Sequence, residues 1–274
     1  MISDVLRQRI AAQLARKSLQ PAWEFLASLA SHGMGYSNVL PQFNGKSRFL
    51  DRWINLNNRS HKPIIFDVGA NKGIFSHYIA SRARHCEIHC FEPDPVIFKQ
   101  LRDRYADDPR IIANELAAKH VDGDFPLYIE ASADTRKASF LSSVFSEIRN
   151  VPFHPVSVRA VTLDHYCCDK GVAFVDLIKI DVEGDEFNVL GGCQRLIAEK
   201  RAGAILFEFN MHGAITGKSF YRTAKLMEGF DIYKILPDGL YPVITANSSW
   251  RSVHEVARYM QFVAFPRHTN TTDY

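Results

Sequence analysis

From Pro63 onward, short and nearly continuous apolar runs alternate with segments whose apolar residues recur at helical spacing. The runs are Ile64 to Val68, Glu87 to Phe91, Ile111 to Leu116, Phe174 to Asp181 and Ala204 to Phe209. Strands apolar on both faces suit the interior of a parallel sheet covered on both sides. Between them, Ile74 to Ala83 places Phe75, Tyr78 and Ile79 on one helical face, and Pro95 to Tyr105 does so with Val96, Phe98 and Leu101. Pro95 suits the first position of a helix. Phe125 to Glu130 and Val156 to Val161 read as extra strands, and Asp231 to Leu236 and Arg258 to Phe265 as the last two, with a turn at Pro237-Asp238-Gly239. The rhythm is α/β.

The first thirty residues follow a helical pattern. Val5, Leu6, Ile10 and Leu14 recur among Arg7, Arg9, Arg16 and Lys17, and a second helix starts near Pro21 with Ala22, Phe25, Leu26 and Leu29 as its apolar stripe. Two readings stand for this pair, a helical layer packed on the sheet or an arm that joins two copies or caps a site. Ser31 to Asn44 holds glycines, asparagines and a proline and reads as a linker, and Phe49 to Leu56 as a short helix leading into the first strand. The expected division is a helical extension over 1–45 and a single α/β domain over 46–274.

With 274 residues, 46% hydrophobic and 23% charged, the chain can bury one sizeable core. A net charge of +3 offers no nucleic-acid footprint, which needs clustered basic residues. The five cysteines show no C-x-x-C spacing, against a disulfide framework or zinc knuckle. His85 to Cys90 resembles a metal cluster, but along a strand those side chains alternate between faces, so packing is the better reading. No cationic-then-apolar leader and no run of 18 apolar residues is present, so the expectation is a cytoplasmic protein without stable membrane insertion.

The candidate chemistry lies at the strand ends. Gly69-Ala70-Asn71-Lys72-Gly73 follows Asp67-Val68, a glycine turn between strand and helix that offers backbone N–H groups to a ligand. It is not G-x-G-x-x-G, so the dinucleotide fingerprint is incomplete. An acid at Asp67 would repel a diphosphate and attract a ligand bearing an ammonium and a sulfonium. One βαβ unit later Glu92-Pro93 ends the second strand, where a carboxylate can accept two hydrogen bonds from a ribose diol. Together these specify S-adenosylmethionine better than a dinucleotide.

Asp67-Val68-Gly69-Ala70-Asn71-Lys72-Gly73, Phe91-Glu92-Pro93, Val161-Thr162-Leu163-Asp164, Lys179-Ile180-Asp181-Val182-Glu183-Gly184 and Phe207-Glu208-Phe209 resemble, in order, the signatures of the FkbM-type methyltransferases. The resemblance runs from about Phe49 to the C-terminus. It implies a class I methyltransferase fold with a Rossmann-like, seven-stranded, mostly parallel sheet, and methylation of a hydroxyl on a carbohydrate or secondary metabolite. It also puts Ala117 near the adenine edge and Ser139 to Ser143 in a loop over the cofactor. The expected cofactor set is Asp67, Val68, Gly69, Ala70, Asn71, Gly73, Glu92, Pro93, Ala117 and Asp181, with Lys72 left in solvent.

Asp181 and Glu208 end neighbouring strands of this sheet type and should share one mouth, positioning the acceptor by hydrogen bonds or, less favoured, holding a divalent cation with Glu183 as a third ligand. Lys179 lies on the same strand face as Asp181 and either pairs with a carboxylate at the site or is a buried structural ion pair. His212 is the favoured general base, because a neutral imidazole can take the hydroxyl proton; Glu208 and Asp181 are the alternatives. Asp164 reads as a helix N-cap or a ligand contact, and Asp185-Glu186 as acids suited to a helix start. A cofactor-binding scaffold without catalysis and a nicotinamide oxidoreductase are the rival functions.

Overall fold

The computed structural model describes residues 4–35, 45–57, 61–131, 137–210, 212, 217–246 and 259–274. Two compact units divide the chain, Met1–Asn38 and Val39–Tyr274. The first holds α1 (Asp4–Leu14), a 3-10 turn at Lys17–Leu19 and α2 (Gln20–Gly33), with Pro21 in the first turn of α2 and Trp23 Nε1 donating to Leu14 O at 2.8 Å. Helices were expected here. The linker expected to follow lies, from residue 36, outside the described residues. Among the described residues no helix is long and apolar enough to cross a membrane.

The second unit starts with α3 (Lys46–Asn57) and continues β1 (Ile64–Val68), α4 (Ile74–Ala80), β2 (Glu87–Phe91), α5 (Pro95–Arg104) and β3 (Ile111–Asn114). The middle of the chain forms β4 (Ala117–Ala118), β5 (Gly123–Glu130), β6 (Ala138–Ser139), a π-helical turn at Val144–Arg149, β7 (Phe153–Val161) and α6 (Leu163–Lys170). Then come β8 (Val175–Ile180), α7 (Glu186–Gly191), α8 (Gln194–Ala198), β9 (Ala202–Phe209), α9 (Phe220–Lys225), β10 (Phe230–Leu236), β11 (Gly239–Ile244) and β12 (Met260–Pro266).

The main sheet has eight strands in the order β11-β10-β12-β9-β8-β1-β2-β3. Five neighbours, β9 to β3, run parallel, and β12 enters antiparallel between β9 and β10. The seven expected strands are therefore present, and the count was one short. After the Pro237-Asp238 turn the chain adds β11 as an outer strand, with Pro242 in it and only one of its six positions buried, so it carries little apolar signal. The other four strands form a second sheet, β4-β7-β5-β6.

The pleat explains the layers. Ile65, Leu177 and Leu206 point into a core shared with Phe49 and Trp53 of α3, Ile79 of α4 and Leu101 of α5. Two residues further along each strand on the same face stand Asp67, Lys179 and Glu208, so the polar groups continue rows that are apolar below. On the opposite face, rings fill the layer: Tyr166 lies 4.7 Å from Phe91 and 5.7 Å from Phe66, and Phe207 stacks on Phe262 at 5.4 Å. The His85 to Cys90 stretch divides between the two layers, with Cys86 and Cys90 buried in the first core and His89 held between Glu87 and the Tyr166 hydroxyl in the second.

Asp164 has an unexpected partner. Thr162 caps α6 by accepting from His165 N at 3.1 Å, while Asp164 accepts from Arg195 N at 2.8 Å and Leu196 N at 2.9 Å, capping α8 thirty residues on. Its carboxylate thus satisfies two N–H groups that the short helix cannot. Asp164→Ala should lower stability by about 0.5–2 kcal/mol, read from the urea midpoint at unchanged m-value.

Candidate active site

The turn after β1 is built on the end of β8. Gly69 has φ +73°, and a Cβ there would lie 2.0 Å from Asp181 O, so a side chain would force the two strand ends apart. Gly69 N and Ala70 N both donate to Phe91 O at 3.0 Å, drawing β2 into the same knot. Below the turn, Lys179 Nζ donates to Gly69 O at 2.8 Å and Val68 O at 3.2 Å, and lies 3.0 Å from Asp67 Oδ1 and 3.8 Å from Asp181 Oδ2. The other Asp67 oxygen accepts from Ser76 Oγ at 2.6 Å. Burial opposes the Lys179 charge, but Asp67 and Asp181 outweigh it and hold its pKa above the ordinary value.

One expectation changes here, and one of two open readings is met. Asp67 has no exposed surface, and its carboxylate is engaged by Lys179 and Ser76, so it cannot meet a ligand ammonium. Lys179 is a buried staple between the ends of β1 and β8, which is its structural ion-pair reading. Asp181, by contrast, keeps 41% of its side chain exposed and stands in the wall of the adjoining cleft.

That cleft encloses about 180 Å³. Gly69, Asn71, Glu92 and Pro93 form one side, and Asp181, Val182 and Glu183 another. Glu92 accepts from Asn71 N through Oε2 at 2.8 Å and from Asp94 N through Oε1 at 2.9 Å, which leaves a lone pair on each oxygen. Burial pushes its pKa up to about 7, with the two N–H bonds opposing. Gly73 closes the turn as the N-cap of α4, Lys72 is exposed, and the side chains of Val68 and Ala70 are buried behind the wall.

Ala117 does not reach this wall. At β4 the chain has already left the main sheet to pair with β7, Ala117 opposite Ala160, and the residue is 2% exposed. The apolar surface comes instead from Ile97, Leu127 and Phe140. Phe140 follows β6, whose Ser139 Oγ donates to Glu183 O at 3.0 Å and accepts from Leu141 N at 3.1 Å. The segment expected to lie over the ligand is therefore tied to the end of β8. Of that insertion, residues 132–136 are outside the described residues.

A second group of polar side chains lies beside Asp181. Glu208, at the end of β9, is 9% exposed and its pKa is pushed up to about 8, first by burial and then by the Asp181 charge. Asn210 Nδ2 donates to Glu208 Oε1 at 3.0 Å. Across the sheet, Gln261 of β12 stands opposite Glu208 in register and donates to Tyr259 Oη at 2.6 Å. Burial and the charges of Glu208 and Asp181 raise the Tyr259 pKa. Tyr259 and Gln261 escaped the sequence reading, because Gln261 is brought to Glu208 only by strand pairing with a segment fifty residues earlier, and Tyr259 just precedes that strand.

His212 packs against the β8 turn. A Cβ on Gly184 would lie 2.4 Å from its Cβ, its N–H donates to Asn210 Oδ1 at 2.9 Å, and Nδ1 is 3.8 Å from Glu183 Oε2. Burial lowers its pKa and Glu183 opposes this. Gly213, the expected bend beside it, is outside the described residues. Asp185 and Glu186 are structural: Asp185 Oδ2 lies 2.5 Å from Lys119 Nζ, and Glu186 Oε1 accepts from Val182 N and Gly184 N, each at 3.2 Å. Among the described residues no three acidic, histidine or cysteine side chains converge so as to hold a metal ion.

The methyltransferase FkbM domain model matches residues 67–241. The chain is 27% identical over 147 residues to the 2-O-methyltransferase NoeI of Sinorhizobium fredii, covering 51% of this chain and 60% of that protein, so it spans less than two thirds of that relative. It is 26% identical over 181 residues to the methyltransferase sdnD of Sordaria araneosa, covering 57% of this chain and 70% of that one. Among solved structures, the precorrin-6y C5,15-methyltransferase of Geobacter metallireducens is 11% identical, with 80% of this chain and 87% of that chain covered and a TM-score of 0.39.

Lys179→Met should leave the Asp67 carboxylate buried without its cation. The expected loss is about 3–5 kcal/mol in equilibrium urea unfolding, larger than for a surface lysine.

Proposed function

The chain belongs to the methyltransferase FkbM domain family, and from that premise we propose that it is an S-adenosylmethionine-dependent O-methyltransferase acting on a hydroxyl of a carbohydrate or secondary metabolite. The observation that carries this reading is the paired Asp181 and Glu208 beside a cleft whose far wall holds Glu92. The 2-O-methyltransferase name of one relative supports oxygen as the receiving atom.

The residues present fit such a cofactor. Glu92 has two lone pairs for a ribose diol, the turn at Gly69 brings backbone to the cleft, and Ile97, Leu127 and Phe140 offer an apolar surface to a flat ring. Asp181, part exposed, takes the role toward the ammonium that the buried Asp67 cannot. When bound, the cofactor supplies an electrophilic methyl group. The chain has to orient a hydroxyl toward it and accept the proton.

We assign the proton to Glu208. It shares the mouth with Asp181, which raises its proton affinity, whereas the His212 ring stands behind the turn beside Glu183. The two bases differ in their pH signature. A base must be unprotonated to act, so with Glu208 kcat/KM for a hydroxyl acceptor should rise with pH through a limb near 8; with His212 the limb would fall below the usual histidine value of about 6.5.

Glu208→Gln should remove the limb and lower turnover by roughly 10²–10⁴, with His212→Ala leaving the limb in place. A limb that disappears in His212→Ala returns the role to the imidazole. For the cofactor, Glu92→Ala should weaken S-adenosylmethionine binding by about ten- to a hundredfold in calorimetry. Equal affinity in parent and variant would reject the ribose assignment, and binding without turnover on any hydroxyl acceptor would favour a scaffold.

A further inference from the structure

The apolar side of the cleft has an ionic support. Lys119 follows β4, and its N–H donates to Val161 O at 3.0 Å, which extends the pairing of β4 with β7. A Cβ on Gly192, at the C-terminal end of α7, would lie 2.0 Å from Lys119 O, so the backbone of Lys119 rests directly on that end of the helix. Its side chain reaches the other end. Lys119 Nζ lies 2.5 Å from Oδ2 of Asp185, the residue before α7. Lys119 is 4% exposed and Asp185 1%. The same ammonium stands 4.0 Å from the centroid of the Phe140 ring and 4.9 Å from that of Phe125. Phe140 lines the cleft.

We propose that Lys119 is a positioning residue for the cofactor: through the Phe140 ring it fixes the flat apolar surface against which the adenine of S-adenosylmethionine packs. This rests on the reading of the cleft as the S-adenosylmethionine site. An ammonium withdrawn from water needs partners on all sides, and aromatic faces at these distances supply what a single carboxylate oxygen does not. Asp185 does not depend on Lys119 alone, since Asn188 Nδ2 donates to its Oδ1 at 2.5 Å and Lys218 Nζ lies 3.6 Å from that oxygen. Neutralising Asp185 therefore does not account for the place of Lys119 between two rings. The wall is held twice at the end of β8, by Ser139 on Glu183 O through the residue next to Phe140 and by the Lys119 contact through its ring. A ring ordered in advance spares the ligand the cost of ordering it.

The test is calorimetry of S-adenosylmethionine with the full chain. Lys119→Met and Phe140→Leu should each weaken binding by about two- to tenfold. The double variant should bind no more weakly than the weaker single one, because the ammonium acts through the ring. Lys119→Arg keeps a cation that can stack on the ring and should bind within about twofold of the parent. Lys119→Met with Asp185→Asn leaves no unmatched charge; it separates a lost ion pair from a lost ring support, and replaces Lys119→Met in the comparison if that variant does not fold. Its affinity should stay at the Lys119→Met level. Parental affinity in the charge-matched variant, or losses from Lys119→Met and Phe140→Leu that add, would overturn the inference while leaving the cofactor in the cleft. A parent chain that binds no S-adenosylmethionine would reject the cofactor reading itself, and the role of Lys119 with it.

Discussion

The site depends on one buried ammonium. Lys179 lies at the crossing of β1, β8 and the glycine turn, with two carbonyl oxygens and two carboxylates around it. A charge buried to this degree persists only when it is paired and hydrogen-bonded. Here the pairing also shapes the backbone, because the carbonyls it holds belong to the residues that enter the turn. Gly69 can then lie against Asp181 O, and Asn71 N is left pointing at Glu92. With Asp67 neutralised from below, the acidity presented to the cleft comes from Asp181 and Glu183, which remain in contact with solvent.

What the sequence made legible was local. The strand, glycine turn and helix at residues 64–80, the start of α5 at Asp94-Pro95 and the fully buried strand β8 each carry their signal within a few residues, and each is found where expected. The ends of β8 and β9 converge as expected because strand order in such a sheet follows from its parallel connections. Less legible were features settled by distant contacts. Asp67 reads as an available acid until Lys179, more than a hundred residues later, is known to lie beneath it. Asp164 reads as the cap of its own helix, yet its carboxylate reaches α8. Ala117 stands at the end of an expected strand, and only the pairing with Ala160 shows that the chain has moved to another sheet.

The same distinction separates the two halves of the site. Glu92, Asn71 and Gly69 come from one βαβ unit, so their spacing is nearly fixed by the geometry of strand and turn. Two side chains on the other side, Tyr259 and Gln261, come from β12 or its approach, outside the FkbM-matched residues. No spacing rule links them to Asp181 and Glu208, because only the register of β12 on β9 brings them there.

This arrangement suits what each half has to recognise. On the proposed reading, the cofactor would be met by backbone and by acids at strand ends, whose positions are set once the sheet is formed. On the same reading, the acceptor would be met by side chains of elements that take no part in the turn between β1 and β8. Glu208 stands on the boundary: its strand belongs to the common sheet, but its proton affinity is raised first by its burial and then by the charge of Asp181 on the neighbouring strand. The contacts of Lys179 are all with β1, β8 and the turn, so a change at the end of β9 can alter the surroundings of Glu208 while that staple stays as it is.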